Sequence, residues 1–234
     1  MSQDIDRRRF VKGAAGAGVA VWATPQLLTV TPAFAAGSGE PTDGCAGYQG
    51  GVVFSADFEN DAPAEFSSQR TAVYTGGSGT TSTILGQFSG SESVTLTLSG
   101  LSACHTRLAI TFDLWIMDSW DGNAEGRGDV GPDSWGITLP DGSSHRYTFA
   151  TPSFASMFTQ TYPDEVGGPD HPAGTGATSG DYGSNGSYLD SRYALAYTVP
   201  HTGAGATYAF STSVLQGVGD EGWGLDNVVV TALP

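Results

Sequence analysis

Residues 107–139 read RLAITFDLWIMDSWDGNAEGRGDVGPDSWGITL, and their pattern sets the fold class. Leu108, Ile110, Phe112, Leu114 and Ile116 alternate with Ala109, Thr111, Asp113 and Trp115, the period of two that sends one set of side chains to the buried face of a β-strand. Trp135, Ile137 and Leu139 open a second run of the same kind. Between the runs stand Asp118, Asp121, Asn123, Glu125, Asp129 and Asp133, interleaved with glycines. So much like charge in so short a span calls for a cation, and the stretch reads as a strand pair joined by a cation-holding loop.

Outward from this centre the chain keeps the same grammar. Val52–Phe58, Ala72–Tyr74, Ile84–Phe88 and Val94–Leu98 precede it as strands, the last with Val94, Leu96 and Leu98 alternating with Thr95 and Thr97. After Leu139, the turn Pro140-Asp141-Gly142-Ser143 predicts a hairpin returning through His145–Phe149. Residues 154–187 show no clear period, and a loop of that length in a compact domain is commonly a functional one. Strands follow at Arg192–Val199 and Thr207–Val214. The closing strand, within DEGWGLDNVVV, turns Trp223, Leu225, Val228 and Val230 to the core with a bulge at Asp226-Asn227. The fold class expected is all-β, a single antiparallel β-sandwich of the jelly-roll or concanavalin A-like kind.

The chain has 234 residues, enough for one such domain, with 34 glycines, 12 prolines and a net charge of −15. That charge disfavours nucleic acid and anionic membranes and favours cations or neutral ligands. The N-terminus resembles a twin-arginine export signal, with Arg7 and Arg8 ahead of Phe10, a weakly apolar stretch, and a small-x-small cleavage site at Ala33 and Ala35. The domain plan is therefore a signal peptide over 1–35, a flexible leader over 36–51 and the sandwich over 52–234. The expected location is extracellular, periplasmic or at the cell envelope, with no membrane span left after cleavage. Two cysteines, Cys45 and Cys104, are expected to form one disulfide in an oxidising compartment.

The segments FDLWIMDSWDGN, GPDSWGITL, QTYPD, the DSRY of Asp190–Tyr193 and the terminal DEGWGLDNVVV resemble a group of secreted bacterial β-sandwich modules. The final strand is also similar to that of reelin-repeat, MAM and laminin-G-like modules. The resemblance implies a jelly-roll sandwich, with calcium lying between strands and holding loops in place.

Calcium takes six to eight oxygen ligands, and short Asp/Asn/Gly loops offer them. The expected metal ligands are Asp113, Asp118, Asp121, Asn123 and Asp133, with Asp220, Glu221 and Asp226 as a second acidic group that could meet Asp57 or Asp113 across the sheet. No EF-hand pattern is present. Trp120, in the acidic loop, and Tyr162, in the long loop, are expected to be exposed and to stack on sugar rings, whereas Trp135 and Trp223 are expected in the core. The histidines are scattered, there is no H-E-x-x-H and no G-x-S-x-G, and Asp170-His171-Pro172 is the most suggestive local group. The expected function is a non-catalytic, calcium-stabilised module binding a glycan or another cell-surface component. The competing classes are a polysaccharide hydrolase using an Asp/Glu pair and a purely structural envelope protein.

Overall fold

The computed structural model describes residues 44–75, 81–124, 131–152, 158–182, 189–213 and 215–234. The signal residues Arg7, Arg8, Phe10, Ala33 and Ala35, the start of the leader, and the acidic Glu125 and Asp129 lie outside them. Among the described residues every element is a strand, every pairing is antiparallel, and no helix is long and apolar enough to cross a membrane.

Two sheets make a sandwich. The larger runs in the order β10 (Ser179–Tyr182), β11 (Leu189–Pro200), β5 (Arg107–Asp118), β13 (Glu221–Leu233), β3 (Thr81–Phe88) and β2 (Thr71–Thr75), with β1 (Gly51–Ala56) also paired to β13. The smaller runs β4 (Ser93–Ser99), β12 (Gly205–Thr212), β6 (Ser134–Thr138) and β7 (Ser144–Thr148). A two-residue ribbon, β8 (Thr159–Gln160) with β9 (His171–Pro172), stands apart.

The expected alternation of β5 is realised. Leu108, Ile110, Phe112, Leu114 and Ile116 enter the core between the sheets, where they meet Leu96, Ile137, Tyr208 and Phe210 from the smaller one. At the centre, Trp135 and Trp223 are fully buried with ring centroids 6.3 Å apart, and Phe112 lies 5.8 Å from Trp135. The edge-to-face Trp135–Trp223 pair adds about 0.5–1.5 kcal/mol beyond the area it buries.

The register of β13 against β5 shifts between Asp226 and Val229, and Asn227 has φ 50°, so the expected bulge is present. It switches the facing pattern, and that is why Trp223, Leu225, Val228 and Val230 can all point inward. The β6–β7 hairpin turns where expected, with Gly142 N donating to Leu139 O at 2.9 Å. The Cys45–Cys104 disulfide is formed and ties the segment before β1 to the turn that feeds β5. A bonded pair of this kind is in keeping with an extracellular or envelope protein.

The long region departs from the expectation of an unpaired loop. It contains β8, β9 and β10, and the first two are too short to show a sequence period. The buried side chain of Gln160 holds them together. Its Nε2 donates to Tyr162 O and Thr175 O at 3.0 Å each, and its Oε1 accepts from Gly174 N at 3.0 Å and from Ala150 N and the Tyr193 hydroxyl at 3.3 Å. Buried amides satisfied on both ends fix loops that apolar contacts alone would leave loose.

Candidate functional site

Where β5 ends, the chain turns under the start of β13. Ser119 N donates to Asp220 O at 2.6 Å, and Trp120 Nε1 donates to Gly222 O at 2.9 Å. This folds residues 119–121 inward and brings Asp121 into a bridge with Ala150. Asp133, just ahead of β6, is anchored by its own N–H to Gly122 O at 2.9 Å and by its carboxylate, which accepts from Asp121 N. Glu221, the first residue of β13, sits opposite Asp118 in register.

Three carboxylates converge as a result. One oxygen from each of Asp121, Asp133 and Glu221 lies within 4.8 Å of the others, and Asp133 and Glu221 are each only 1% exposed. Glu221 uses one oxygen to accept from Gln216 N, while no N–H or hydroxyl donor reaches its buried Oε1, and its carboxyl lies within hydrogen-bonding reach of the Asp133 carboxylate. Among the described residues neither Asp133 nor Glu221 pairs with a lysine, arginine or histidine. Burial, with the Asp121 carboxylate adding to it, pushes Asp133 up to about 6. Burial also pushes Glu221 up to about 8, and the negative charges of Asp133, Asp220 and Asp121 raise it further.

Buried charge of one sign is costly unless neutralised, and an orphaned buried oxygen costs about 1–3 kcal/mol. A proton shared by the Asp133 and Glu221 carboxyls offsets these costs, and so does a hard divalent cation. The donor set is oxygen only, the kind that calcium takes.

The other expected ligands are elsewhere. Asp118 adopts φ 67°, its N–H donates to Asp190 Oδ1 at 2.9 Å, and its carboxylate accepts from Gln87 Nε2 at 3.3 Å. Asn123 is committed on both ends of its amide: Oδ1 accepts from Thr148 Oγ1, and Nδ2 donates to Asp170 Oδ1 at 2.5 Å. Asp220 accepts from Ser119 Oγ at 2.7 Å on the rim of the cluster.

The expected second acidic group is divided: Glu221 lies with Asp121 and Asp133, while Asp226 faces Asp113 across β5 and β13, and the Asp57 carboxylate accepts from Glu59 N. Asn227 Nδ2 donates to Asp113 Oδ2 at 2.9 Å, Ser82 Oγ donates to Asp226 Oδ2 at 2.8 Å, and Arg192 lies 3.7 Å from Asp113.

Burial pushes Asp226 up to about 6, with the Asp113 and Glu59 charges adding to it. The folded chain therefore holds this proton more tightly than the unfolded chain does. The corresponding stability is complete below about pH 4 and is lost as the pH rises through about 6. Asp226→Asn keeps an oxygen for Ser82 and removes the titration. Melting temperatures recorded from about pH 4 to pH 8 should fall less steeply for the variant than for the wild type, so that the variant melts higher at the alkaline end. Parallel profiles would show that Asp226 is not the group responsible.

The aromatic expectation needs correction. Trp120 is 1% exposed, drawn into the core by its hydrogen bond to Gly222 and packed edge-on to Phe149 at 6.3 Å. It offers no face to a ligand. Tyr162 is half-buried within a ring cluster, 5.2 Å from Phe149, 5.1 Å from Tyr193 and 5.4 Å from Tyr147.

The open space lies beside them instead. An open cavity of about 580 Å³ is lined by the apolar Pro152, Phe158, Pro172 and Ala173 and by the polar Thr159, Asp170 and His171. It therefore includes the Asp170-His171-Pro172 group, and His171 Nε2 shares a hydrogen bond with Asp164 Oδ2 at 2.8 Å. Phe158 carried no signal of its own in the sequence. Two of the scattered histidines also meet: His105 Nε2 and His201 Nδ1 are 2.8 Å apart beneath the disulfide-bearing turn, with stacked rings. His105 is fully buried, and the pair packs that corner.

No family model and no curated protein matches this chain. Among solved structures it is similar to a carbohydrate-binding module from Cellvibrio mixtus lichenase 5A, determined in complex with cellotriose. The identity is 12% and the TM-score 0.33, over 78% of this chain and 99% of that one.

Proposed function

We propose that this chain is an exported, non-catalytic β-sandwich binding module whose loops are held by calcium at Asp121, Asp133 and Glu221, and whose ligand is a glycan or another component of the cell envelope. The observation that carries the reading is Glu221, nearly inaccessible, with one oxygen that no N–H or hydroxyl donor reaches, among two further carboxylates. Calcium joins the loop after β5, the loop before β6 and the start of β13. It thereby fastens one sheet to the other at the end of the sandwich where the cavity lies. The export signal read in the sequence and the disulfide both support a site of action outside the cytoplasm.

The geometry supports binding over hydrolysis. A retaining glycosidase needs carboxyl groups about 5–5.5 Å apart across a cleft that admits the sugar, and an inverting one needs them about 6.5–9.5 Å apart. Here the oxygens lie within 4.8 Å and two of the three residues are sealed from solvent, so no sugar bond reaches them. The raised affinity of Glu221 for a proton follows first from its burial and then from the neighbouring negative charges, and a cation relieves the second.

Calorimetric titration of calcium into chelator-stripped protein tests this directly. One binding event is expected in the wild type, lost in Asp121→Ala. Absence of heat in the wild type would return these carboxylates to a structural role without metal.

A further inference from the structure

The cation centre and the cavity share a short piece of chain. Asp121 belongs to the carboxylate cluster, and two residues later Asn123 grips the cavity wall at two points. Asn123 N donates to Thr159 O at 2.7 Å, and its side-chain Nδ2 donates to Asp170 Oδ1 at 2.5 Å. Gly122, between them, lies so close to the ribbon that a Cβ would be 2.2 Å from Thr159 O. Holding Asp121 therefore holds the polar wall of the cavity.

The lining has the composition of a small-molecule site, mostly apolar with a few directed polar groups, and its volume falls within the range of about 300–1,000 Å³ that such sites occupy. Its lining combines a phenylalanine, two prolines and an alanine with an aspartate, a histidine and a threonine. The carboxylate of Asp170 already accepts from an amide, so it stands as a partly satisfied acceptor, and His171 is held by Asp164. That pattern fits hydroxyl groups better than an ammonium. An anionic ligand is disfavoured by a chain of net charge −15. A neutral saccharide, with apolar C–H faces and a rim of hydroxyls, matches each of these features.

We infer that the cavity between Phe158 and Asp170 is a neutral-glycan subsite, and that calcium at Asp121, Asp133 and Glu221 sets its affinity through Gly122 and Asn123. The inference rests on the calcium reading for its second half, and the experiment separates the two. Titrate the purified protein with neutral hexasaccharides (cello-, xylo-, manno- and N-acetylchito-oligosaccharide), in calcium and in chelator, and record the calcium-induced melting shift of each variant alongside. At least one sugar is expected to bind in calcium. Its affinity should fall by at least about tenfold in chelator and in Phe158→Ala, the factor that corresponds to about 1.4 kcal/mol, with a smaller loss in Asp170→Asn. Phe158→Ala should retain the wild-type calcium shift, which shows that it folds and keeps the metal.

Three results would overturn the inference: no hexasaccharide binding at millimolar concentration in calcium, binding that Phe158→Ala leaves unchanged, or tighter binding of polygalacturonate than of every neutral sugar. Phe158-dependent binding that ignores chelator, in a protein that shows a calcium melting shift, would overturn the coupling while the calcium reading stands. A missing calcium shift would sink the calcium reading by itself, whatever the sugars do.

Discussion

In excess calcium the protein should melt about 5–11 °C higher than in chelator. A ligand held at one hundred times its dissociation constant adds about 2.7 kcal/mol to the folded state, and a domain of this size gains about 2–4 °C for each kcal/mol. The source of the effect is local. Without a cation, Asp133 and Glu221 are buried beside Asp121 with an oxygen that no N–H or hydroxyl donor reaches, and on the proposed reading the same oxygens would become ligands.

Asp121→Ala should therefore melt in calcium about where the wild type melts in chelator, because the least buried of the three ligands is gone while the core is untouched. Asp226→Asn should keep the full calcium shift, since Asp226 is held by Ser82 and Asn227 outside the cluster. Equal shifts in the wild type and Asp121→Ala would mean that calcium acts on the acidic surface at large and not at this centre.

The β-sandwich was legible because its strands carry their own periodicity. Leu108 to Ile116 and Val94 to Leu98 alternate without interruption, and the Asp226-Asn227 break in the last strand is written as a change of phase between Leu225 and Val228. The site was legible only as a composition. Eight acidic or amide residues had suitable chemistry, and three of them converge. Which three depends on the register of β13 against β5 and on the turn at Asp118, and neither has a local signature.

Trp120 was misread for the same reason. A tryptophan flanked by aspartates resembles a surface residue, yet its fate was settled by a carbonyl 102 positions away, that of Gly222. The ribbon of β8 and β9 was invisible because two-residue strands have no period to read. Gln160, which organises it, looks in sequence like any polar loop residue.

Gly122→Ala should destabilise the protein by about 3 kcal/mol, the sum of a left-handed backbone cost of about 1–2 kcal/mol and overpacking of about 1–3 kcal/mol. Gly122 has φ 57°, and an added Cβ would stand 2.2 Å from Thr159 O and 2.8 Å from the Ala150 Cβ. Neither neighbour can yield cheaply, because Thr159 O accepts from Asn123 N and Ala150 is bridged to Asp121. Gly142 provides the comparison. It has φ 85° in the β6–β7 turn, but a Cβ there would meet nothing within 4 Å, so Gly142→Ala should cost only the backbone part, about 1–2 kcal/mol.

The two variants also differ in what else they lose. Relief of the contact at Gly122 moves Asp121 on one side and Asn123 on the other, so calcium affinity should drop in Gly122→Ala and stay at the wild-type value in Gly142→Ala. Denaturant unfolding with calcium titration of both variants reads the two effects together. Equal destabilisation and equal calcium affinity would mean that residues 121–123 do not hold the cation centre against the cavity wall.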